Sequence, residues 1–221
     1  MTPYYDDGQV TIYHGDCRDV LPTLSTRNVV ITDPPYGIRW TRGVHAARNS
    51  KAHNGIANDE DTSVRDEVLA MLDGIPAIVF GSFYAPYPKN TKQVLVWKKP
   101  DDSGVVGSVT GYRRDVEPVF LVGPWPTTKV KWSSLLTSRG YFRGHTAAET
   151  GHTHAKPIDL MRVLIERAPD GVIIDPFMGS GTTLRAAKDL GRRAIGIELD
   201  ERYCEIAVKR LAQSVMALEV A

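Results

Sequence analysis

Residues 172–198 constrain the fold more than any other stretch, because strand, glycine turn, helix and strand follow one another there without a gap. Val172–Asp175 is apolar and β-branched up to its last residue. Asp175-Pro176-Phe177-Met178-Gly179-Ser180-Gly181-Thr182-Thr183 follows, at the point where a helix from about Thr182 to Leu190 begins; Gly191 ends that helix. A second β-branched run, Arg193–Glu198, comes next. This succession is half of a doubly wound α/β fold.

Other short apolar runs fit the same plan: Gln9–Tyr13, Val29–Thr32, Ala77–Phe80, Gln93–Trp97 and Pro118–Val122. Several lack any polar alternation, which suits strands buried on both faces. Pro157 opens a further helix at its first position, with Leu160, Met161, Leu164, Ile165 and Ala168 along one stripe. Another helix starts after Asp200, a good N-cap, and buries Tyr203, Ile206, Ala207 and Leu211. The expected class is α/β: a Rossmann-like, doubly wound, mostly parallel sheet of about seven strands with helices on both faces.

At 221 residues the chain suits one domain spanning 1–221, with no internal repeat and no low-complexity linker. A basic loop at 37–58 and a target-recognition segment at 123–150 are read as insertions into it. The longest apolar run, Ile75–Phe80, is six residues and contains Pro76, far short of the roughly 18–20 a membrane span needs. No signal peptide and no membrane partner are expected. Two distant cysteines, Cys17 and Cys204, exclude a disulfide scaffold and suit a cytoplasmic location. His152 and His154 lack a third ligand at a recognisable spacing, so no metal is expected.

Charge is balanced overall, 27 basic against 26 acidic residues, but not locally. Residues 37–58 carry Arg39, Arg42, Arg48 and Lys51, and residues 123–146 carry Lys129, Lys131, Arg139 and Arg143; neither stretch has an acid. Trp40 lies in the first and Trp125, Trp132, Tyr141 and Phe142 in the second. Cations meet phosphates and rings stack on bases, so both are candidate nucleic-acid contacts. Arg39, Arg42, Lys129, Lys131, Arg139 and Arg143 are the candidate DNA-binding residues.

Two motifs carry chemistry. In the glycine turn at 175–183, free N–H groups at a helix start and a close backbone approach suit a ligand, and Glu198 emerges 17 residues after Gly181, where this fold binds ribose hydroxyls. Leu184 stands where a dinucleotide fingerprint needs a third glycine, and no Gly-Lys-Ser/Thr follows, so a phosphate loop is excluded. A nucleoside cofactor remains. The second motif, Asp33-Pro34-Pro35-Tyr36, follows the Val29–Thr32 strand. Its prolines remove two donors, Asp33 and the Pro34 carbonyl accept, and Tyr36 adds a flat ring. A planar, amine-bearing substrate fits that set.

With both motifs the chain resembles the DNA amino-methyltransferases that use S-adenosylmethionine, with motifs in a permuted, β-like order. Asp33-Pro34-Pro35-Tyr36 is similar to that family's catalytic motif, and 175–183 to its methyl-donor motif. Tyr13-His14-Gly15-Asp16-Cys17 resembles a short motif whose acid contacts the cofactor adenine. His152-Thr153-His154-Ala155-Lys156-Pro157 resembles His-Pro-Thr-Gln-Lys-Pro at its ends and departs from it at the three central positions. Trp97-Lys98-Lys99 and Glu117-Pro118 resemble weaker middle motifs. The resemblance implies catalytic Asp33, Pro34, Pro35 and Tyr36. It implies cofactor contacts from Asp16, Cys17, Lys156, Asp175, Phe177, Gly179, Ser180, Gly181, Thr182 and Glu198.

The implied activity is site-specific methylation of the N6 amine of an adenine flipped out of double-stranded DNA, with Tyr36 replacing the lost stacking. Asp at position 33 favours adenine, since the cytosine-N4 branch more often has Ser-Pro-Pro-Tyr. A cytosine-N4 enzyme, an RNA base methyltransferase and a silent cofactor- and DNA-binding protein are the alternatives. A homodimer and a separate restriction endonuclease are further partners the resemblance allows.

Overall fold

A computed structural model describes residues 1–24, 28–39, 58–100, 111–138 and 155–213. Its strands are β1 (Tyr5–Asp6), β2 (Val10–His14), β3 (Asn28–Thr32), β4 (Ala77–Phe80), β5 (Thr91–Lys98), β6 (Val116–Val122), β7 (Leu135–Thr137), β8 (Val172–Asp175) and β9 (Ala194–Glu198). Its helices are α1 (Cys17–Val20), α2 (Ser63–Met71), α3 (Ile158–Arg167), α4 (Thr182–Asp189) and α5 (Glu201–Ala212).

All strands join one sheet in the order β1-β2-β9-β8-β3-β4-β6-β5-β7. From β2 to β4 the pairs are parallel; β6 runs antiparallel to β4 and β5, and β7 is parallel to β5. The sheet therefore has nine strands rather than about seven. The two additional strands, β1 and β7, are two and three residues long and sit at the sheet edges. Neither is long enough to show a hydrophobic period. β7 falls within 123–150, the stretch expected as an insertion, of which residues 139–150 lie outside the described residues.

Side chains along β3 alternate between two cores, which is why all five of its residues are buried. Val29 and Ile31 pack with Leu160, Met161, Leu164 and Ile165 of α3, with Ala186 and Ala187 of α4, and with Ala207 and Leu211 of α5. Val30 packs with Val20 after Cys17 in α1, with Val68 of α2, and with Ile174 of β8. Helices cover both faces, as a parallel sheet requires. Pro157 proves to be the residue before α3 rather than its first helical position. In α5, Cys204 is buried, whereas Tyr203 and Ile206 are half-buried. Among the described residues no helix is long and apolar enough to cross a membrane.

Chain order and strand order together place the ligand crevice. From β8 the chain winds outward to β9, and from β3 it winds the other way to β4. Ligands bind at the carboxyl ends of the strands where the winding reverses. Here that point lies between β3, which ends at the second motif, and β8, which ends at the first.

Candidate active site

Asp33 leaves β3 at the switch point with 28% of its side chain exposed, while its neighbour Lys156, only 10% exposed, faces it. The Tyr36 hydroxyl donates to Asp33 Oδ1 at 2.8 Å, and Lys156 Nζ donates to Asp33 Oδ2 at 2.8 Å and to the Tyr36 oxygen at 2.9 Å. The Tyr36 oxygen also lies 3.4 Å from Glu117 Oε2, but a phenol has one hydrogen and the shorter contact takes it. Glu117 stands at the start of β6, with Lys99 Nζ 2.5 Å from its Oε1 and Lys156 Nζ 3.5 Å from its Oε2. Burial, followed by the Asp33 and Glu117 carboxylates, pushes the Tyr36 phenol well above its ordinary range. Burial works to raise the Glu117 carboxyl, but the Lys156 and Lys99 ammonium groups outweigh it and hold it below the usual range.

Gly37 locks the exit from this motif. Its φ is +69°, and a Cβ there would lie 2.4 Å from the Asp61 carbonyl carbon. The Gly37 amide donates to buried Asp59 at 2.8 Å, so a tight crossing of two chain segments fixes the direction of Tyr36.

On the other side of the switch point, Asp175 ends β8 with 2% exposure. Its Oδ1 accepts from the Thr32 hydroxyl at 2.7 Å and from the Phe177 amide at 3.2 Å. The residue before Asp33 is therefore bonded to the first residue of the glycine turn. Ser180 and Thr182 are buried, and their hydroxyl oxygens accept from Arg210 of α5 at 3.1 Å each. Gly181, at φ +78°, leaves no room for a Cβ, which would sit 2.8 Å from Ala207. These side chains hold the turn against α5, leaving its backbone to meet a ligand.

Glu198 ends β9 beside this turn. Its Oε2 accepts from the Gly179 amide and its Oε1 from the Asp200 amide, both at 2.9 Å. Burial raises its carboxyl above the ordinary range against the pull of those amides. Leu199, the next residue, is 53% exposed, and Phe177 in the glycine turn is half-buried. A carboxylate acceptor beside a glycine turn with apolar residues near it in sequence fits a nucleoside cofactor. Asp16, on the neighbouring strand end, caps α1 and is bonded to the Arg18 amide and guanidinium, which hold its carboxyl low. Cys17 is packed inside, its thiol pushed up to about 12 by burial and then by Asp16.

The two motifs thus meet at one crevice, but Lys156, expected beside the cofactor, makes its short bonds to Asp33 and Tyr36. Lys99 and Glu117 lie in the two weaker middle motifs, which assign them no role; the pairing of β5 with β6, Trp97 opposite Glu117, is what brings them to the site. Arg39 is exposed, and its amide is bonded to the Asp59 carbonyl. Lys129 and Lys131 are exposed, and the ring of adjacent Trp132 lies 5.5 Å from Arg167 Cζ. Arg167 ends α3, roughly 15 Å along the helix from Lys156. Arg42, Arg139, Arg143, His152 and His154 lie outside the described residues, among which no cluster could hold a metal ion.

Burial raises the Asp175 carboxyl to about 6, with Asp33 adding to the rise and the Thr183, Thr32 and Phe177 bonds opposing it. An acid with a raised folded pKa binds its proton more tightly when folded, so its contribution to stability falls as pH rises through about 4 to 6. Asp175→Asn keeps an Oδ1 for Thr32 and Phe177 without the charge. Its stability relative to the parent is expected to improve by about 2 kcal/mol between pH 4 and pH 7. Urea titrations of both proteins across that range check this; a pH-independent difference would contradict it.

A family model described as DNA methylase (N6_N4_Mtase) matches residues 85–209. Type II methyltransferase M.HinfI of Haemophilus influenzae is 39% identical over 92% of this chain and 68% of its own length. The fold is similar to that of the M1.HpyAVI–SAM complex, with a TM-score of 0.62 and 22% identity over 92% of this chain and all of that one. It is also similar to that of PvuII DNA methyltransferase, described as cytosine-N4-specific, with a TM-score of 0.63 and 18% identity over 97% of this chain and 90% of that one.

Proposed function

The chain belongs to the family of S-adenosylmethionine-dependent DNA amino-methyltransferases, and on that premise we propose that it methylates the N6 amine of an adenine extruded from duplex DNA. The observation that carries this reading is Asp33, an acceptor-only carboxylate at the switch point. It is one residue from the Thr32 hydroxyl bond that ties it to the cofactor turn. We also read 1–221 as one methyltransferase domain.

An exocyclic amine is a poor nucleophile because its lone pair is delocalised into the ring. Asp33 and the Pro34 carbonyl accept its two hydrogens and turn the lone pair outward, while Pro35 keeps the backbone stiff and Tyr36 offers its ring to the base. Lys156 and Tyr36 each hold one Asp33 oxygen, so the acceptor does not rotate between conformers. Asp33 is then the nearest acceptor for the proton the amine loses. Glu198 would receive ribose hydroxyls, the backbone of Gly179–Gly181 lines the turn, and Phe177 and Leu199 would offer apolar surface to the nucleoside. Asp16, Cys17, Asp175, Ser180 and Thr182 shape that surface through their own bonds and packing. When bound, S-adenosylmethionine supplies a sulfonium methyl group needing little activation, so alignment by these residues provides much of the rate. Arg39, Arg42, Lys129, Lys131, Arg139 and Arg143 remain the proposed phosphate contacts.

The deciding experiment incubates the protein with labelled S-adenosylmethionine and unmethylated DNA, then digests the DNA and identifies the modified nucleoside. N6-methyladenine is expected. N4-methylcytosine would retain the mechanism and overturn the base assignment. No modified base would overturn the reading.

A further inference from the structure

The turn after β4 carries aromatic rings that the fold does not use. Its base is anchored: Ser82 and Ala85 are each 9% exposed, and the Tyr84 amide donates to Ser82 Oγ at 3.1 Å. Its tip points outward, with Phe83 44% and Tyr84 73% exposed. Tyr87, further along, differs because its ring packs on Phe120 at 4.8 Å between centroids.

This tip stands at the catalytic edge. Val79 pairs with Thr32, and the Phe80 ring lies 5.1 Å from Lys156 Nζ, the cation bonded to Asp33. A second segment joins it there: Arg114 Cζ lies 5.1 Å from the Tyr84 ring centroid, Arg113 and Arg114 are exposed, and Tyr112 is 84% exposed. The Lys99 amide bonded to the Asp115 carbonyl at 2.7 Å fixes this segment beside β5. The acid of the segment, Asp115, is paired with Lys98 at 3.1 Å, and that bond holds its carboxyl low. The outward face therefore offers the Phe83, Tyr84 and Tyr112 rings together with the Arg114 guanidinium.

We propose that Phe83, Tyr84, Tyr112 and Arg114 form an aromatic–arginine platform for the DNA strand beside the extruded base. Tyr84 stacks on a base face and Arg114 meets a neighbouring phosphate. The chemistry matches the partner: stacked rings tolerate any base, and arginine suits phosphate oxygens. The location matches it too, since extruding a base exposes stacking faces next to the pocket that receives it. Trp132, by contrast, has its ring 5.5 Å from Arg167 Cζ, at the far end of α3. The inference rests on the DNA-methylating reading above.

The test is Tyr84→Ala/Arg114→Ala in the full chain, with Tyr84→Phe as the conservative variant. Fluorescence anisotropy on a mixed-sequence DNA duplex measures affinity over a salt series, and calorimetry measures S-adenosylmethionine binding. The double variant is expected to bind the duplex at least about tenfold more weakly, with a salt slope shallower by about 0.9 for each phosphate it no longer neutralises. Tyr84→Phe is expected to retain its affinity, and cofactor affinity and melting temperature should stay at parental values in both. Unchanged duplex affinity in the double variant would overturn the platform. Failure of the functional reading is distinguishable, because it appears in the parent protein as DNA that carries no methylated base.

Discussion

Asp33→Ala is expected to lower the rate of methyl transfer by about 10³-fold while S-adenosylmethionine binds within about twofold of the parent affinity. The size follows from timing. An acceptor aimed at the amine gains most as the nitrogen becomes tetrahedral and its hydrogens grow acidic, so its loss falls on the transition state. Cofactor binding is spared because the alanine touches neither Glu198 nor the Gly179 turn. The substitution also strips Lys156, 10% exposed, of its 2.8 Å partner, leaving Glu117 at 3.5 Å. Asp33→Asn separates the two effects: it keeps an acceptor and the shape of the side chain, and should lose about 10- to 100-fold. Single-turnover kinetics with calorimetric cofactor titrations read both quantities. Near-parental turnover in the alanine variant would remove Asp33 from the chemistry.

The second large effect belongs to Glu198. Glu198→Ala is expected to weaken S-adenosylmethionine binding about 100-fold, since it removes both a ribose acceptor and the two amide bonds that shape the turn. Glu198→Gln should recover little, because its amide nitrogen would face a backbone N–H. A pH signature accompanies this. Burial holds the Glu198 carboxyl above the ordinary glutamate range, and the ionised form is the better acceptor. Cofactor affinity should therefore decline on acidification from a higher pH than an exposed glutamate would give. Equilibrium dialysis at several pH values checks both expectations; unaltered affinity in the alanine variant would place the ribose elsewhere.

The parts of the fold that sequence revealed were those whose burial leaves a mark on composition. β3, β4 and β8 lie between two cores, so each is a run of apolar residues without alternation. β7 has no such mark: Leu135 is 55% exposed and Leu136 2%, and the strand exists because β5 offers it an open edge. α2 buries only Arg65 and Val68, too thin a stripe to stand out. The site divides the same way. Asp33-Pro34-Pro35-Tyr36 and the glycine turn are local, each readable from consecutive residues. The contacts around Asp33 are not: Lys156 is readable in its own short motif, but its bond to Asp33 spans 123 residues, and Glu117 arrives through strand register.

The bond from Thr32 to Asp175 has a consequence for how such an enzyme diversifies. β3 and β8 are neighbours in fixed register, with Val30 opposite Ile174, so the gap that a methyl group must cross is set by the spacing of two hydrogen-bonded strands. Segments that read DNA sequence are therefore free to lengthen, shorten or be replaced wholesale, and a new target site can be acquired without retuning the reaction.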